Sequence, residues 1–409
     1  MLVSADPTTE LNNCGMTMKT RYSFFAVLIL VASLLISCKT MKEYDAAVTA
    51  AVDSLRRQHA PDGRVAVFDV AWKRTPKGIL VKGEVDNIRA KEDLLAAIGL
   101  AGELATIDSL RVLPDSSLGD RIFGIVTLSV ANVRSKPAQS AELATQAMMG
   151  TVVKLLKYQW GYYFAQLPDN YLGWIEDDAV KVGNKQEVEV WRSSPKVIAT
   201  GYFGVVRSEP STSALPVCDV VAGALLKHKG TRGSWIAVEL ADGRAGYIEV
   251  GGVEEYAKWK RSRALNGDNI EKVAKMFVGI PYLWGGTSPK GVDCSGFTKI
   301  VYRLNGLELN RDADQQSYMG EEVPLDDDFK ALKKGDLLFF GRKSSPERPE
   351  RITHVGIYLE NKKFIHSSGR VKLNSFDPKA PDFDEGNLKR LVRSRRLVGT
   401  VQIPEVAQN

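Results

Sequence analysis

At 409 residues the chain is too long for one hydrophobic core, and 44% hydrophobic with 25% charged residues excludes a disordered or fibrous composition. A formal net charge of +6 is small for this length, and the Lys and Arg residues are scattered, so no nucleic-acid footprint is present. The densest basic run, Lys389-Arg390 with Arg393, Arg395 and Arg396, is interleaved with Leu391, Val392, Leu397 and Val398 and reads as a solvated strand face.

Lys19 and Arg21 precede an apolar run from Tyr22 to Ile36 that ends at Ser37-Cys38. This has the form of a secretory signal and is short for a transmembrane helix, an uncleaved anchor being the alternative. Leu35-Ile36-Ser37-Cys38 resembles the lipobox of bacterial lipoproteins. That resemblance implies lipidation at Cys38, a signal peptide over 1–38 and an exported body tied to a membrane of the cell envelope. Residues 1–15 are polar and untypical of a signal, which points to Met16 or Met18 as the start of translation. Only Cys218 and Cys294 remain in the body. A disulfide between them is one possible use but would consume a nucleophile; Cys218, in the apolar run Leu215 to Val221, reads as core.

Residues 39 to about 60 read as a charged helix or tether. Val65 to Trp72, Ile79 to Val85 and Thr106 to Leu113 read as strands, and Ala90 to Leu100 as a helix, giving a small α/β unit over 39–120. Short strands and turns then repeat. Arg134-Ser135-Lys136-Pro137 recurs as Arg207-Ser208-Glu209-Pro210 and Gly173-Trp174-Ile175 as Gly246-Tyr247-Ile248, both 73 residues on. Aromatic-rich strands, Trp160 to Leu167 and Trp235 to Leu240, suggest a small half-open barrel in each copy. The pattern A-N-V-R-S-x-P at 131–137 with a late G-W-I resembles bacterial SH3-like domains, which accompany cell-wall enzymes. Two such domains are expected, over 121–188 and 189–255. The second has Val205-Val206 where the first has Asn132-Val133, so it reads as a spacer. Glu254 to Asn266 reads as a connector.

In the last region, 256–409, Asn269 to Val278 reads as a helix, and strands are expected around Leu337 to Phe340, His354 to Leu359, Lys363 to His366 and Leu397 to Ile403. Phe297, Ile300, Val301 and Leu304 follow Cys294 at i, i+3, i+4 and i+7 spacing, so the thiol sits at a helix start. There the helix dipole favours the thiolate. Gly285, Gly286, Gly291 and Gly296 suit close approach of backbone to a ligand. A thiol nucleophile needs a base and a group that orients the base. Of four histidines, His59 and His228 lie in charged, turn-rich stretches, while His354 and His366 fall on adjacent strands. With a three-residue loop, Glu360 to Lys362, Leu359 pairs with Lys363 and the two imidazoles share one face; a two-residue loop would separate them. Cys294, His354 and His366 could instead hold zinc, but no Cys-x-x-Cys or His-Glu-x-x-His is present.

Pro281-Tyr282-Leu283-Trp284-Gly285-Gly286, Asp293-Cys294-Ser295-Gly296-Phe297, Lys334-Gly335-Asp336-Leu337-Leu338-Phe339-Phe340, His354-Val355-Gly356-Ile357-Tyr358 and Phe364-Ile365-His366-Ser367-Ser368 resemble, in order, the motifs of NlpC-type cell-wall cysteine peptidases. The resemblance covers about 265–405. It implies an α+β protein whose papain-like C-terminal domain follows two SH3-like barrels and a small N-terminal α/β unit, acting as a monomer without metal or organic cofactor on peptidoglycan stem peptides. It also implies Cys294 as nucleophile, His354 as base, His366 as orienting residue, and Tyr282, Asp293 and Ser295 beside the substrate. The charged insertion Arg342 to Arg351 departs from the pattern, at one wall of the expected cleft. Tandem SH3-like domains resemble the subgroup that cuts between D-glutamate and the following diamino acid, with the first SH3-like domain meeting the free amino terminus of L-Ala. By position Glu142 and Tyr171 are the matching contacts. A non-catalytic wall-binding lipoprotein and an acyltransferase on the same fold are the alternatives.

Overall fold

The computed structural model describes residues 41–101, 104–326 and 328–401; the apolar run before Cys38, and Cys38 itself, lie outside them. The described residues divide into two compact units, one of 41–61 and Phe68–Leu110, the other of Asp62–Val67 and 111–401.

In the first unit, helix α1 (41–59) buries Tyr44, Val48 and Val52 on one i, i+4, i+8 stripe. Strands β1 (Phe68–Thr75) and β2 (Gly78–Val85) form an antiparallel hairpin with Phe68 opposite Val85 and Thr75 opposite Gly78. Helix α2 (Ile88–Leu100), capped by the Asn87 side chain on the Arg89 N–H, buries Ala90, Leu94 and Ile98. Strand β3 (Thr106–Val112) completes a three-stranded sheet, order β1-β2-β3. The first strand starts at Phe68 and not at Val65, because Asp62–Val67 turns and joins the other unit.

The second unit carries the repeat. Strands β4 (Phe123–Val126), β5 (Val130–Arg134), β6 (Leu143–Met148), β7 (Val152–Gln159), β8 (Tyr162–Gln166), β9 (Leu172–Glu176) and β10 (Val180–Gly183) form one sheet. After helix α3 (Lys185–Ser193), strands β11 (Lys196–Ala199), β12 (Phe203–Arg207), β13 (Pro216–Val221), β14 (Leu225–Arg232), β15 (Trp235–Glu239), β16 (Ala245–Glu249) and β17 (Val253–Glu255) form another. Each strand of the second copy begins 73 residues after its counterpart. The spatial order is also the same, β10-β4-β7-β8-β9-β5-β6 and β17-β11-β14-β15-β16-β12-β13. Even the irregularity between Val133 and Arg134 returns between Val206 and Arg207. Trp160 lies outside the strand expected to begin there: with φ of 51° it forms, with Gly161, the turn between β7 and β8.

The C-terminal part follows α4 (Tyr256–Ser262) and α5 (Gly267–Met276). The two-residue strands β18 (Thr287–Ser288) and β19 (Gly291–Val292) lead into α6 (Cys294–Arg303), whose residues from Cys294 to Tyr302 are all buried. Burying Phe297, Ile300, Val301 and Leu304 stabilises the fold by about 1.5–3 kcal/mol each. A short helix α7 (Ala313–Gln316) precedes β20 (Glu321–Val323), β21 (Leu337–Arg342), β22 (Arg351–Tyr358), β23 (Lys363–Ser368), β24 (Arg370–Ser375), α8 (Glu385–Arg390) and β25 (Leu391–Arg396). The sheet order is β20-β25-β21-β22-β23-β24, with α6 packed on β22 and β23. Among the described residues the last strand is Leu391–Arg396, and Leu397 to Val401 are not strand; the rest of the expected Leu397 to Ile403 strand lies outside the described residues. The basic residues of β25 explain its position: Arg393, Arg395 and Arg396 pair with Glu350, Glu322 and Asp336, which fixes the strand one segment earlier. The charged insertion before β22 is the tip of the β21–β22 hairpin, which stays paired out to Arg342 opposite Arg351.

Candidate active site

Cys294 is the first residue of α6, and Asp293 is its N-cap: the Asp293 Oδ1 accepts the Gly296 N–H at 2.7 Å. The glycines of the motif serve the chain's own packing. A Cβ on Gly296 would lie 2.0 Å from the Gly286 carbonyl oxygen, and one on Gly285, at φ of 78°, 2.0 Å from that of Leu143. At both positions close approach by backbone of this chain requires glycine.

Burial leaves Cys294 only 8% exposed. That burial, reinforced by the Asp293 charge, pushes the thiol up to about 12, although the N–H groups of Val355 and Ser295 favour the anion. Desolvation therefore outweighs the helix start, and the resting group is a neutral thiol, contrary to the thiolate expected from helix position. Tyr282, whose hydroxyl is pushed up to about 12 by burial and then by the charges of Cys294 and Asp293, stands beside the thiol. Cys218 is a free thiol in the second barrel, packed against its core, and Cys294 is likewise free.

The hairpin of β22 and β23 has the three-residue loop: Leu359 N–H bonds the Lys363 carbonyl, and Gly356 lies opposite His366. His354 Nε2 and His366 Nδ1 are 2.8 Å apart, and His366 Nε2 is 2.9 Å from Asn374 Oδ1 on β24. Proton positions follow from the far end. Asn374 donates its Nδ2–H to the Asp382 carbonyl at 3.1 Å, so its oxygen faces His366. An amide oxygen only accepts, so His366 carries its proton on Nε2 and accepts at Nδ1. His354 must then donate from Nε2, which leaves its Nδ1 with the lone pair of a base. Burial, followed by the His366 charge, lowers His354 to about 3; burial lowers His366 to about 4, the Asn374 bond opposing it. Both imidazoles are neutral at pH 7.

Asp293 and Ser295 are joined by a residue the motifs did not reveal. Arg311, 2% exposed, donates from Nη1 to Asp293 Oδ1 (3.2 Å) and Ser295 Oγ (3.0 Å), and from Nη2 to Asp293 Oδ2 (2.5 Å). The Asp293 Oδ2 also accepts the Gly285 N–H at 3.0 Å. Asp293 thus holds the head of α6 through donors on both of its oxygens.

Glu142 and Tyr171 reach the same region from the first barrel. Glu142 Oε1 accepts the Trp284 indole N–H at 2.7 Å, and the buried Tyr171 hydroxyl donates to Asp312 Oδ2 at 3.0 Å. Gln146 of β6 adds bonds to the Thr287 N–H and the Ser288 hydroxyl. Arg64 completes the cluster, bonding Asp312 Oδ2 (2.8 Å), Asp314 Oδ1 (2.9 Å) and Asp62 Oδ1 (2.9 Å). Burial raises Asp312, with Arg311 and Arg64 opposing that rise. Neither Arg64 nor Asn374 carries a local sequence signal; both are placed by topology. Among the described residues no group of three or more His, Cys, Asp or Glu side chains is placed to hold a metal ion.

Comparison with known proteins agrees with this geometry. Residues 279–384 match the NlpC/P60 family, and residues 133–180 match the bacterial dipeptidyl-peptidase SH3 domain. The chain is 27% identical over 273 residues to dipeptidyl-peptidase 6 of Lysinibacillus sphaericus, covering 63% of this chain and 93% of that one. Over 100 residues it is 44% identical to the gamma-D-glutamyl-L-lysine dipeptidyl-peptidase of Bacillus subtilis, covering 24% of this chain and 31% of that one. The crystal structure of an NlpC/P60 family protein from Bacillus cereus shares the fold, with a TM-score of 0.58 at 22% identity, over 68% of this chain and 99% of that one. With both domain matches in the order the fold displays, the chain carries a cysteine peptidase domain of the NlpC/P60 family behind a bacterial SH3 domain.

Proposed function

We propose that this cysteine peptidase hydrolyses the γ-D-glutamyl to diamino acid bond of peptidoglycan stem peptides that carry a free N-terminal L-Ala. The observation that carries the catalytic roles is the hydrogen-bonded series Asn374, His366, His354, which leaves one basic nitrogen on His354. Cys294 is the nucleophile. Because thiol and imidazole are both neutral at rest, the proton passes from sulfur to His354 Nδ1 as the carbon–sulfur bond forms. The backbone N–H at the head of α6, which has no carbonyl partner within the helix, stabilises the oxyanion. His354 then returns the proton to the leaving amine, the acyl-enzyme remains on Cys294, and a water deprotonated by the same imidazole releases the product.

The name of the Bacillus subtilis relative supports the choice of bond. The free-terminus requirement rests on Glu142 and Tyr171, which bring an acceptor and a phenol from the first barrel to Trp284 and Asp312. Mass spectrometry of products from L-Ala-γ-D-Glu-diaminopimelate and its lysine counterpart, each with free and acetylated N-terminus, tests this. Cleavage after D-glutamate is expected only for free termini and is abolished in a folded Cys294→Ala chain. Equal turnover of acetylated peptides would refute the terminal requirement. Export and anchoring through Cys38 belong to the same proposal; palmitate labelling that survives Cys38→Ser would sink that part.

A further inference from the structure

Where the first barrel meets α3, the start of the second barrel and α6 lies a cavity of about 350 Å³ with no assigned role. Its cationic lining is Lys154, Arg192, Lys196 and Arg303, and no carboxylate lines it. Through Leu225, Tyr256 and Arg303 it adjoins a second lobe of about 220 Å³ that adds Lys260 and Arg263. The acid of that lobe, Glu308, is already engaged by Lys299 and Arg303. The volume of the larger lobe falls within the range of small-molecule sites.

Lys196 is the unusual member. It is 6% exposed and forms no ion pair among the described residues, although a buried ammonium without a counter-charge is costly. Two of its donors go to the Arg192 and Ser194 carbonyls at the end of α3, at 2.9 and 2.8 Å, which leaves one. Both Lys196 and Lys227 stand over the Trp191 ring, at 5.5 and 5.7 Å, and only Lys227 has a carboxylate, Glu239. Burial, then the like charges of Lys227 and Lys260, lowers Lys196 to about 8. On the same wall Arg192 has a buried Nε–H with no hydrogen-bond partner. The helix-end carbonyls account for part of the lysine's placement; they do not account for an open arginine donor and a cavity whose charged lining residues are all cations.

We propose that this cavity binds a small oxyanion-bearing ligand, a carboxylate or a phosphate, held by Lys196, Arg192 and Arg303. An anion there would use the open donor of Lys196 and the Nε–H of Arg192 together, as charge-assisted bonds. It would give the junction of the two barrels a role beyond packing, independent of which peptide bond the active site cuts.

Calorimetric titration of the full chain with N-acetylmuramic acid and, separately, with inorganic phosphate tests this. Saturable binding of at least one probe is expected, weakened tenfold or more by Lys196→Met and by Arg192→Met, while peptide hydrolysis is unchanged. Tighter binding of the sugar acid supports the proposal and marks a wall carboxylate as the source; tighter binding of phosphate supports it and marks a phosphate-bearing ligand. Failure of both probes to saturate overturns it, as does undiminished affinity in Arg192→Met, a half-buried position that decides the matter if Lys196→Met does not fold.

Discussion

Arg311 and Asp293, 18 residues apart, form a buried ion pair that holds the head of the nucleophile's helix. The carboxylate accepts from Arg311, Gly296, Gly285 and Ser295, so its charge is compensated from every side. Removing one partner of such a pair leaves the other uncompensated. Asp293→Ala should destabilise the chain by about 3–5 kcal/mol in urea unfolding, whereas Asp293→Asn, which retains the cap, should cost less. Since the Asp293 charge helps push the thiol upward, iodoacetamide should alkylate Cys294 at a lower pH in Asp293→Asn than in the parent.

Much of this arrangement is written locally. The 73-residue offset of Arg134 and Arg207 already gave the repeat that all strands of the two barrels obey, and hairpin parity reduced the facing of His354 and His366 to the length of one loop, which has the three residues that put them together. What the residues could not announce depends on contacts between distant segments. Arg311 reads as one arginine among many until folding sets it under α6. The thiol's helix position was legible, but its desolvation was not, because the core that buries it draws on strands more than fifty residues away, those bearing Val355 and Ile365. The packing demand on the glycines was hidden for a related reason: at Gly285 the crowding comes from Leu143 of the first barrel.

Asn374 fixes the proton positions of both imidazoles. Asn374→Leu should therefore lower kcat by about 10–100-fold, an outer-shell effect, with KM nearly unchanged. Asn374→Asp keeps an acceptor at the same atom and should recover most of kcat. Its negative charge favours protonated imidazole, so the acid limb of the pH–rate profile should move to higher pH. A purely structural role for Asn374 would leave that limb in place.

Stability should depend on pH on both sides of neutrality. His354 and His366 have folded values of about 3 and 4, below the ordinary 6.5, so below pH 6.5 the unfolded chain binds more protons. Their contribution is therefore lost as pH falls from 6.5 toward 4. Cys294 has the opposite sign: its value of about 12 lies above the ordinary 9, so the unfolded chain loses its proton first and stability declines as pH rises past 9. Thermal midpoints measured from pH 4 to pH 10 should be highest between 6.5 and 9, and Cys294→Ala should flatten the alkaline decline without altering the acid one.

Arg64 ties the segment Asp62–Val67 to the carboxylates of Asp312 and Asp314, and Tyr171 donates to the same oxygen of Asp312 that Arg64 holds. Without Arg64, burial would act on Asp312 with less opposition, and its charged form would be weakened. If this cluster meets the substrate's amino terminus, as proposed above, the loss falls on binding and not on the chemistry of Cys294. Arg64→Met should then raise KM for free-terminus peptides by about 5–50-fold, the cost of one charge-assisted contact, with kcat changed little. Tyr171→Phe should do the same to a smaller extent, and the two effects should be non-additive because they share one oxygen. Alkylation of Cys294 by iodoacetamide should proceed at the parent rate in both variants. A fall in kcat with constant KM would instead place Arg64 in support of the helix that carries the nucleophile.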